Sequence, residues 1–375
     1  MDQRALKVVF IGGATRSGST IVADLIAQPA GVVHAGELAN IWQWGYLESR
    51  LCGCGTPFLE CEFWNEVSRR AFGVESKAVP ASDLRRLQLD IKKLRVLVPL
   101  FIPVLRTTSY RRRLSKYADH LSALYEAISV VAKARVVVDS SKAPHDARVL
   151  REVAGIEPHM VHLIRDSRGF TSSYRKRKVR REVHWTYREL PLHSIPRIIL
   201  SWTILNLGTE IEGRRFNTFQ RVSYEQFMKA PGDSLRSMAL GFDEPAVASA
   251  LETTGHEVSL PVSHTAAGNP SRFDRQTRLR VDDQWLHSLP VWQRNVVTAA
   301  TGLLLRRYGY RLMPWREAST TADADRPSRS VVAGLNVLAA SVNGKRPDTN
   351  GKAHSRDDQR HSPRLTEAGS QLPPD

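Results

Sequence analysis

Residues Gly13 to Thr20 read G-A-T-R-S-G-S-T, a glycine-framed turn between the apolar run KVVFI and the amphipathic run IVADLIAQ. Strand, glycine-rich turn and helix in that order make an anion cradle. Successive backbone N–H groups and the helix N-terminus converge on a phosphate-like group. Set against the nucleotide pattern G-x-x-x-x-G-K-[ST], Gly13, Gly18 and Thr20 match, but Ser19 stands in the lysine position. The cradle therefore keeps its backbone chemistry, with Arg16 as its positive charge, and loses the group that grips a triphosphate. A second anion signal is R-D-S-R-G-F-T-S-S, Arg165 to Ser173, directly after the strand-like HMVHLI. Arg165 falls at a strand end and Ser173 in the first turns of the next helix, with Arg177 one turn further on the same face. Two phosphate-type sites at neighbouring strand ends suit a nucleotide phosphorylated at separated positions better than a triphosphate.

These turns need a frame. ARVVVD from Ala134 makes a third strand–turn–helix unit with SSKAPH and DARVLREVAG. Alternating strands and helices predict an α/β protein, a P-loop-like three-layer fold with a central parallel sheet flanked by helices. In such sheets ligands gather at the carboxyl ends of the strands, where all three turns lie. One domain is expected over residues 1–315, with a helical insertion at about 40–133. Within it LRVLVPLFIPVL, 94–105, is expected to pack into the core. TSSYRKRK is expected to open a long basic helix. The tail 316–375, rich in Ser, Thr, Asp, Arg and Pro, reads as disordered.

The chain has 375 residues with a net charge of +16. Arg85–Lys116 carries ten basic residues and one acid, and Arg165–Arg181 eight and one, which together account for the whole excess. That concentration points to an anionic partner. Nucleic acid is not indicated, because aromatics are 7% of the chain and do not interleave with the basic runs. No apolar run reaches the length of a membrane span, and no signal-peptide pattern opens the chain, so a cytoplasmic enzyme is expected. Peripheral contact of 94–105 with a membrane surface is the alternative to core packing.

The cysteines, Cys52, Cys54 and Cys61, follow C-x-C-x₆-C. Zinc wants four ligands, no His or Cys follows at a ligand spacing, and nothing requires His34 to serve. No metal is expected; buried thiols or an occasional disulfide are.

Together these residues resemble the sulfotransferases that use 3′-phosphoadenosine 5′-phosphosulfate (PAPS). Their 5′-phosphosulfate loop is similar to Arg16-Ser17-Gly18-Ser19-Thr20, and their 3′-phosphate site to Arg165 with Ser173. Ala35-Gly36-Glu37 resembles the Gly-Glu of tyrosyl-protein and bacterial members, and Val222-Ser223-Tyr224-Glu225 the strand whose Tyr contacts the nucleotide. Cys52-Gly53-Cys54-Gly55 with Pro57-Phe58, Cys61 and Phe63-Trp64 looks like a bacterial signature. His264 through Gly268-Asn269-Pro270 to Arg272 resembles a late cofactor-side loop, and Trp285 with Tyr308-Gly309-Tyr310 the domain's end. The resemblance implies sulfuryl transfer from PAPS to a hydroxyl, with adenosine 3′,5′-bisphosphate (PAP) leaving. It makes Glu37 the base, Lys142 the stabiliser of the transferring charge, and His145 the rival base, one residue further from its lysine than in aryl and steroid sulfotransferases. The insertion and the region 175–200 are expected to build a pocket for a small-molecule, lipid or glycan acceptor.

Overall fold

The computed structural model describes residues 5–175, 179–183, 186–189, 193–251 and 257–313. The chain divides into two units, Met1–Arg316 and Glu317–Asp375, and the described residues all lie in the first. Arg177 and the tail 316–375 fall outside them.

The chain enters through β1 (Leu6–Gly13), α1 (Ser19–Ile26) and β2 (Val32–Gly36). A helical insertion follows: α2 (Glu62–Phe72), α3 (Ala81–Lys92), α4 (Leu94–Phe101) and α5 (Thr108–Val131). Next come β3 (Val136–Lys142), α6 (Pro144–Leu150), β4 (Ile156–Ile164) and α7 (Ser167–Arg175). Beyond a small hairpin, β5 (Val179–Val183) and β6 (Thr186–Glu189), lie α8 (Ile195–Gly213), β7 (Thr218–Ser223), α9 (Tyr224–Lys229) and α10 (Pro231–Phe242). A second hairpin, β8 (Glu257–Ser259) and β9 (Gln276–Arg278), precedes α11 (Trp285–Ser288) and α12 (Val291–Arg307). The central sheet is five-stranded and parallel throughout, in the order β2-β3-β1-β4-β7.

Alternation along the central strands explains the layers. Val8 and Phe10 of β1 face the insertion, where Trp42, Trp64, Tyr117 and Ile128 are buried. Val9 and Ile11 face the other way, onto Val22 and Leu25 of α1, Phe227 of α9 and Leu235 of α10. A strand buried on both faces reads as an apolar run, which is why β1 and β3 are visible in the sequence through VVFI and VVV, and β4 through MVHLI despite His162. The result is the expected α/β fold, a parallel sheet with helices on both faces.

Two expectations fail, the second in part. The basic helix after β4 ends at Arg175 and gives way to the β5–β6 antiparallel pair. The stretch VRREV-HW-TYRE places β-branched and aromatic residues through a charged segment, and that pattern outweighs the helix propensity of its Arg residues. The apolar run 94–105 is only partly core: among its described side chains, Leu100 is fully buried and Phe101 packs beside it, but Val98, Ile102, Val104 and Leu105 are exposed, Val104 at 82%. Pro99 sits inside α4 and Pro103 starts a separate turn, so the run cannot present one continuous apolar face. No helix among the described residues is long and apolar enough to cross a membrane.

Candidate functional site

The glycine-framed turn closes β1 and opens α1. Gly13 has φ +131°, Arg16 +61° and Gly18 +87°. This run of left-handed backbone curls the chain back on itself, a conformation that glycine adopts freely. Close approach fixes both glycines. A Cβ on Gly13 would sit 2.4 Å from the Leu163 carbonyl oxygen, and one on Gly18 would sit 2.7 Å from the Tyr224 ring. Gly18 is also the N-cap of α1, so no side chain satisfies the first N–H groups of that helix. The Arg16 guanidinium lies 4.8 Å over the Tyr174 ring, whose hydroxyl is hydrogen-bonded to Thr15 Oγ1.

The element after β4 is tied to the glycine-framed turn by Arg165. Its Nη1 donates to the Arg16 carbonyl (2.9 Å), its Nη2 to Asp282 Oδ2 (2.8 Å), and its guanidinium lies 4.8 Å over Tyr224. Its Nε is buried without a hydrogen-bond partner among the described residues, the mark of a site with donor capacity in reserve. Trp202 Nε1 holds the Arg165 carbonyl (2.9 Å). Ser173 lies in the second turn of α7 and donates to the Phe170 carbonyl (2.7 Å). Glu225 fixes the turn between β4 and α7 by accepting from Asp166 N (3.0 Å) and the Tyr310 hydroxyl (2.6 Å). Burial pushes the Glu225 carboxyl up, with Tyr310 opposing.

Between these elements sit Glu37 and Lys142. Gly36 closes β2 in a left-handed conformation, and Glu37 N donates to the Ala267 carbonyl (3.3 Å). The next two amides are clamped by the end of β3: Leu38 N donates to Asp139 Oδ1 (3.4 Å) and Ala39 N to Ser141 Oγ (2.9 Å). The carboxylate is thus aimed from a fixed backbone. Its Oε1 accepts from Lys142 Nζ, its Oε2 from Asn40 Nδ2 (2.9 Å), and both members of the ion pair are largely buried. Asp139 is buried beneath this turn and accepts from the Tyr125 hydroxyl (2.6 Å); burial raises its pKa.

A cavity of about 760 Å³ is lined by Arg16, Gly18, Ser19, Thr20, Glu37, Lys142, Arg165, Ser173, Tyr224, Gly268 and Asn269. Its size suits a nucleotide-scale ligand. The late loop reaches it through Asn269, whose N donates to Thr20 Oγ1 (3.4 Å). Three sequence-selected residues do not line it. Ser17 is buried at 1% exposure. Arg272 is also buried and donates to the Leu51 carbonyl (2.7 Å). His145 stands next to Asp146 (3.6 Å), and burial lowers its pKa. Lys142 takes a left-handed backbone (φ +76°) and Pro144 starts α6 at once, so the lysine and the histidine part company.

Sequence reasoning missed Trp44, His193, Arg278 and Arg280, which also line the cavity. For the last two no local pattern gave a signal: Arg278, Leu279 and Arg280 all line the cavity, and β9 ends at Arg278. It also passed over the buried chain Asp24–His34–Ser140, in which His34 bonds Asp24 Oδ1 (2.7 Å) and Ser140 Oγ (3.1 Å).

The cysteines are free thiols, Cys52 and Cys61 buried as expected, but a fourth ligand-type side chain that the spacing did not show, His264, lies among them. His34, bonded to Asp24, belongs elsewhere. Sequence spacing missed His264 because 203 residues separate it from Cys61, and the fold alone brings them together.

No family model matches the sequence, and no curated protein matches it. Among solved structures, the chain is similar to the "Sulfotransferase Domain from the Synechococcus PCC 7002 Olefin Synthase" at 14% identity and a TM-score of 0.44, over 83% of this chain and 97% of that one. It is similar to the "Sulfotransferase Domain from the Curacin Biosynthetic Pathway" at 13% identity and 0.43, over 83% and 100%. At these identities no residue's role passes from those domains to this chain.

Proposed function

We propose that this protein transfers a sulfuryl group from PAPS to a hydroxyl and releases PAP. One observation carries the reading: a single cavity is lined by a lysine-less phosphate loop, by Arg165 with Ser173, and by the Glu37–Lys142 pair. The loop N–H groups and Arg16 hold the 5′ end of the donor, while Arg165 and Ser173 hold its 3′-phosphate. The spare Nε of Arg165 fits that task. Transfer is an in-line displacement: the acceptor oxygen bonds to sulfur as the sulfur–oxygen bond to the 5′-phosphate breaks. Glu37 takes the acceptor's proton. Lys142 moves from Glu37 toward the transferring group, offsetting charge on the departing oxygen and freeing the carboxylate as base. His145, off the cavity, takes no part.

A kinase reading loses to Ser19, which lines the cavity where a triphosphate-binding lysine is needed. The acceptor is a small-molecule, lipid or glycan hydroxyl. The exposed Val98, Ile102, Val104 and Leu105 suit peripheral contact with a lipid surface. Three free thiols fit a reducing, cytoplasmic setting. Calorimetric titration with PAP, AMP and ATP, each with and without Mg²⁺, tests the donor. PAP binding that is Mg²⁺-independent and needs the 3′-phosphate supports the proposal; preference for Mg·ATP over PAP overturns it.

A further inference from the structure

Cys52 Sγ and Cys61 Sγ are 3.7 Å apart, Cys54 Sγ and Cys61 Sγ 3.7 Å, and His264 Nδ1 lies 3.3 Å from Cys61 Sγ and 3.8 Å from Cys52 Sγ. All four donor atoms fall within 4.8 Å of one another. A tetrahedral zinc ion with Zn–S of about 2.3 Å and Zn–N of about 2.05 Å requires edges of about 3.8 Å between sulfurs and about 3.6 Å between sulfur and nitrogen. The sulfur pairs at 3.7 Å match the first value, and the sulfur–nitrogen distances of 3.3 and 3.8 Å fall on either side of the second. The sulfur–sulfur separations are far too long for a disulfide bond, whose sulfurs touch at about 2.05 Å.

The surrounding backbone is shaped to hold this arrangement. Cys52 N donates to the Thr56 carbonyl (2.8 Å) and Gly55 N to the Cys52 carbonyl (2.8 Å), with Gly55 at φ +95°, so the first two cysteines ride on a tight knuckle. Gly53 lets the segment carrying His264 lie against that knuckle: a Cβ there would be 2.5 Å from the Ser263 carbonyl oxygen and from Thr265 Oγ1. Gly53 N donates to the Thr265 carbonyl (3.1 Å) and Arg275 Nη2 to the Gly53 carbonyl (3.2 Å). The His264 ring stacks on Phe63, with centroids 4.7 Å apart and planes at 10°, which fixes the imidazole's orientation.

We propose that Cys52, Cys54, Cys61 and His264 bind one Zn²⁺ as a closed structural site. Three thiolates and one imidazole suit zinc, and separations of a single tetrahedral edge suit one ion rather than a cluster. With four protein ligands no position is open for substrate, so the ion does no chemistry on the acceptor. Its effect is mechanical: it pins the start of the insertion to the loop whose Ala267 carbonyl holds Glu37 N and whose Asn269 N meets Thr20. The proposal stands on the ligand geometry and does not depend on the donor's identity.

The test is the metal content of the full chain, purified without chelators from zinc-supplemented cells. We expect about one zinc per chain, released with mercurial reagent and lost to trace levels in His264→Ala and in Cys54→Ser. Cys54 is only partly buried, so its serine variant is the one less exposed to folding failure. Cobalt substitution of the wild-type chain gives an independent reading, with the intense visible bands of tetrahedral Co²⁺ and thiolate charge transfer in the near ultraviolet. Chelation should lower the melting temperature of the wild type and leave that of Cys54→Ser unmoved. Substoichiometric zinc together with three freely titrating thiols, or a Cys–Cys disulfide in protein kept anaerobic, would overturn the proposal, as would octahedral Co²⁺ spectra.

Discussion

Arg165 offers the cleanest perturbation, because its effect is read in binding alone and needs no acceptor. Its guanidinium gives one donor to the Arg16 carbonyl, one to Asp282, and keeps Nε in reserve. If a 3′-phosphate takes two charge-assisted hydrogen bonds from this side chain, at about 1.5 kcal/mol each, Arg165→Ala loses about 3 kcal/mol and PAP binds roughly 100-fold more weakly. AMP lacks the 3′-phosphate and feels only the indirect loss at the Arg16 carbonyl, so its affinity should fall by about 10-fold at most. The diagnostic is therefore the ratio of PAP to AMP affinity, which should collapse toward unity. Asp282→Asn should act oppositely. The Asp282 carboxylate lies 2.8 Å from Arg165 Nη2. There it competes with an incoming phosphate, and neutralising it should tighten PAP several-fold. Isothermal titration of both variants with both nucleotides decides the matter. Equal losses of PAP and AMP in Arg165→Ala would show that Arg165 merely shapes the loop, and the 3′-phosphate assignment would fall.

Three further outcomes are expected. Glu37→Gln keeps an oxygen for Lys142, and Asn40 can turn its amide to match, so PAP affinity should hold while turnover of any accepted hydroxyl drops about 100-fold or more; an active Glu37→Gln with an inactive His145→Ala would reverse the base assignment. Gly18→Ala puts a methyl 2.7 Å from the Tyr224 ring at φ +87°. That costs about 1–2 kcal/mol in backbone strain before any repacking, so melting temperature and PAP affinity should fall together. Burial pushes the His162 imidazole from 6.5 down to about 4, its Nε2 bonded to Asn206 and its Nδ1 without a partner among the described residues. The unfolded chain takes up this proton first, so stability falls as pH drops from about 6.5 to about 4. This residue alone should account for about 2 kcal/mol between about pH 7 and about pH 5 in urea unfolding. His162→Phe should flatten that limb, and parallel pH curves for variant and wild type would count against the argument.

Much of the frame was legible because it obeys local rules. β1, β3 and β4 each hold a short apolar run (VVFI, VVV and MVHLI, the last broken by one histidine), and each is followed by a turn whose glycines or small polar residues announce it. That the glycine-framed loop and Arg165 share one cavity was readable for the same reason, since strand ends in a parallel sheet converge. What escaped was set by long-range packing. Basic residues after Arg175 mimic a helix, yet the chain turns into a hairpin. The apolar run at 94–105 mimics core, yet two prolines break it, and Val98, Ile102, Val104 and Leu105 are exposed while Leu100 is buried. His145 stayed a rival to Glu37 because a sequence does not reveal that Lys142 has a left-handed backbone. His264 belongs with the cysteines only through a loop more than two hundred residues downstream.

That loop has a consequence for how the protein comes into being. Ala266 N donates to the Ala35 carbonyl, and the Ala267 carbonyl receives Glu37 N, so a segment near the domain's end extends the sheet's edge beside β2. A Cβ on Gly36 would sit 2.7 Å from that same carbonyl oxygen, so the fit leaves no room for any other residue. Closing a loop this long is an entropic step that waits on synthesis of nearly the whole domain. A nascent chain can therefore form β1, β2 and α1 early, yet its carboxylate is not locked in place until the last third has emerged from the ribosome. The position of Glu37 is thus set by contacts that exist only once nearly the whole domain has been made.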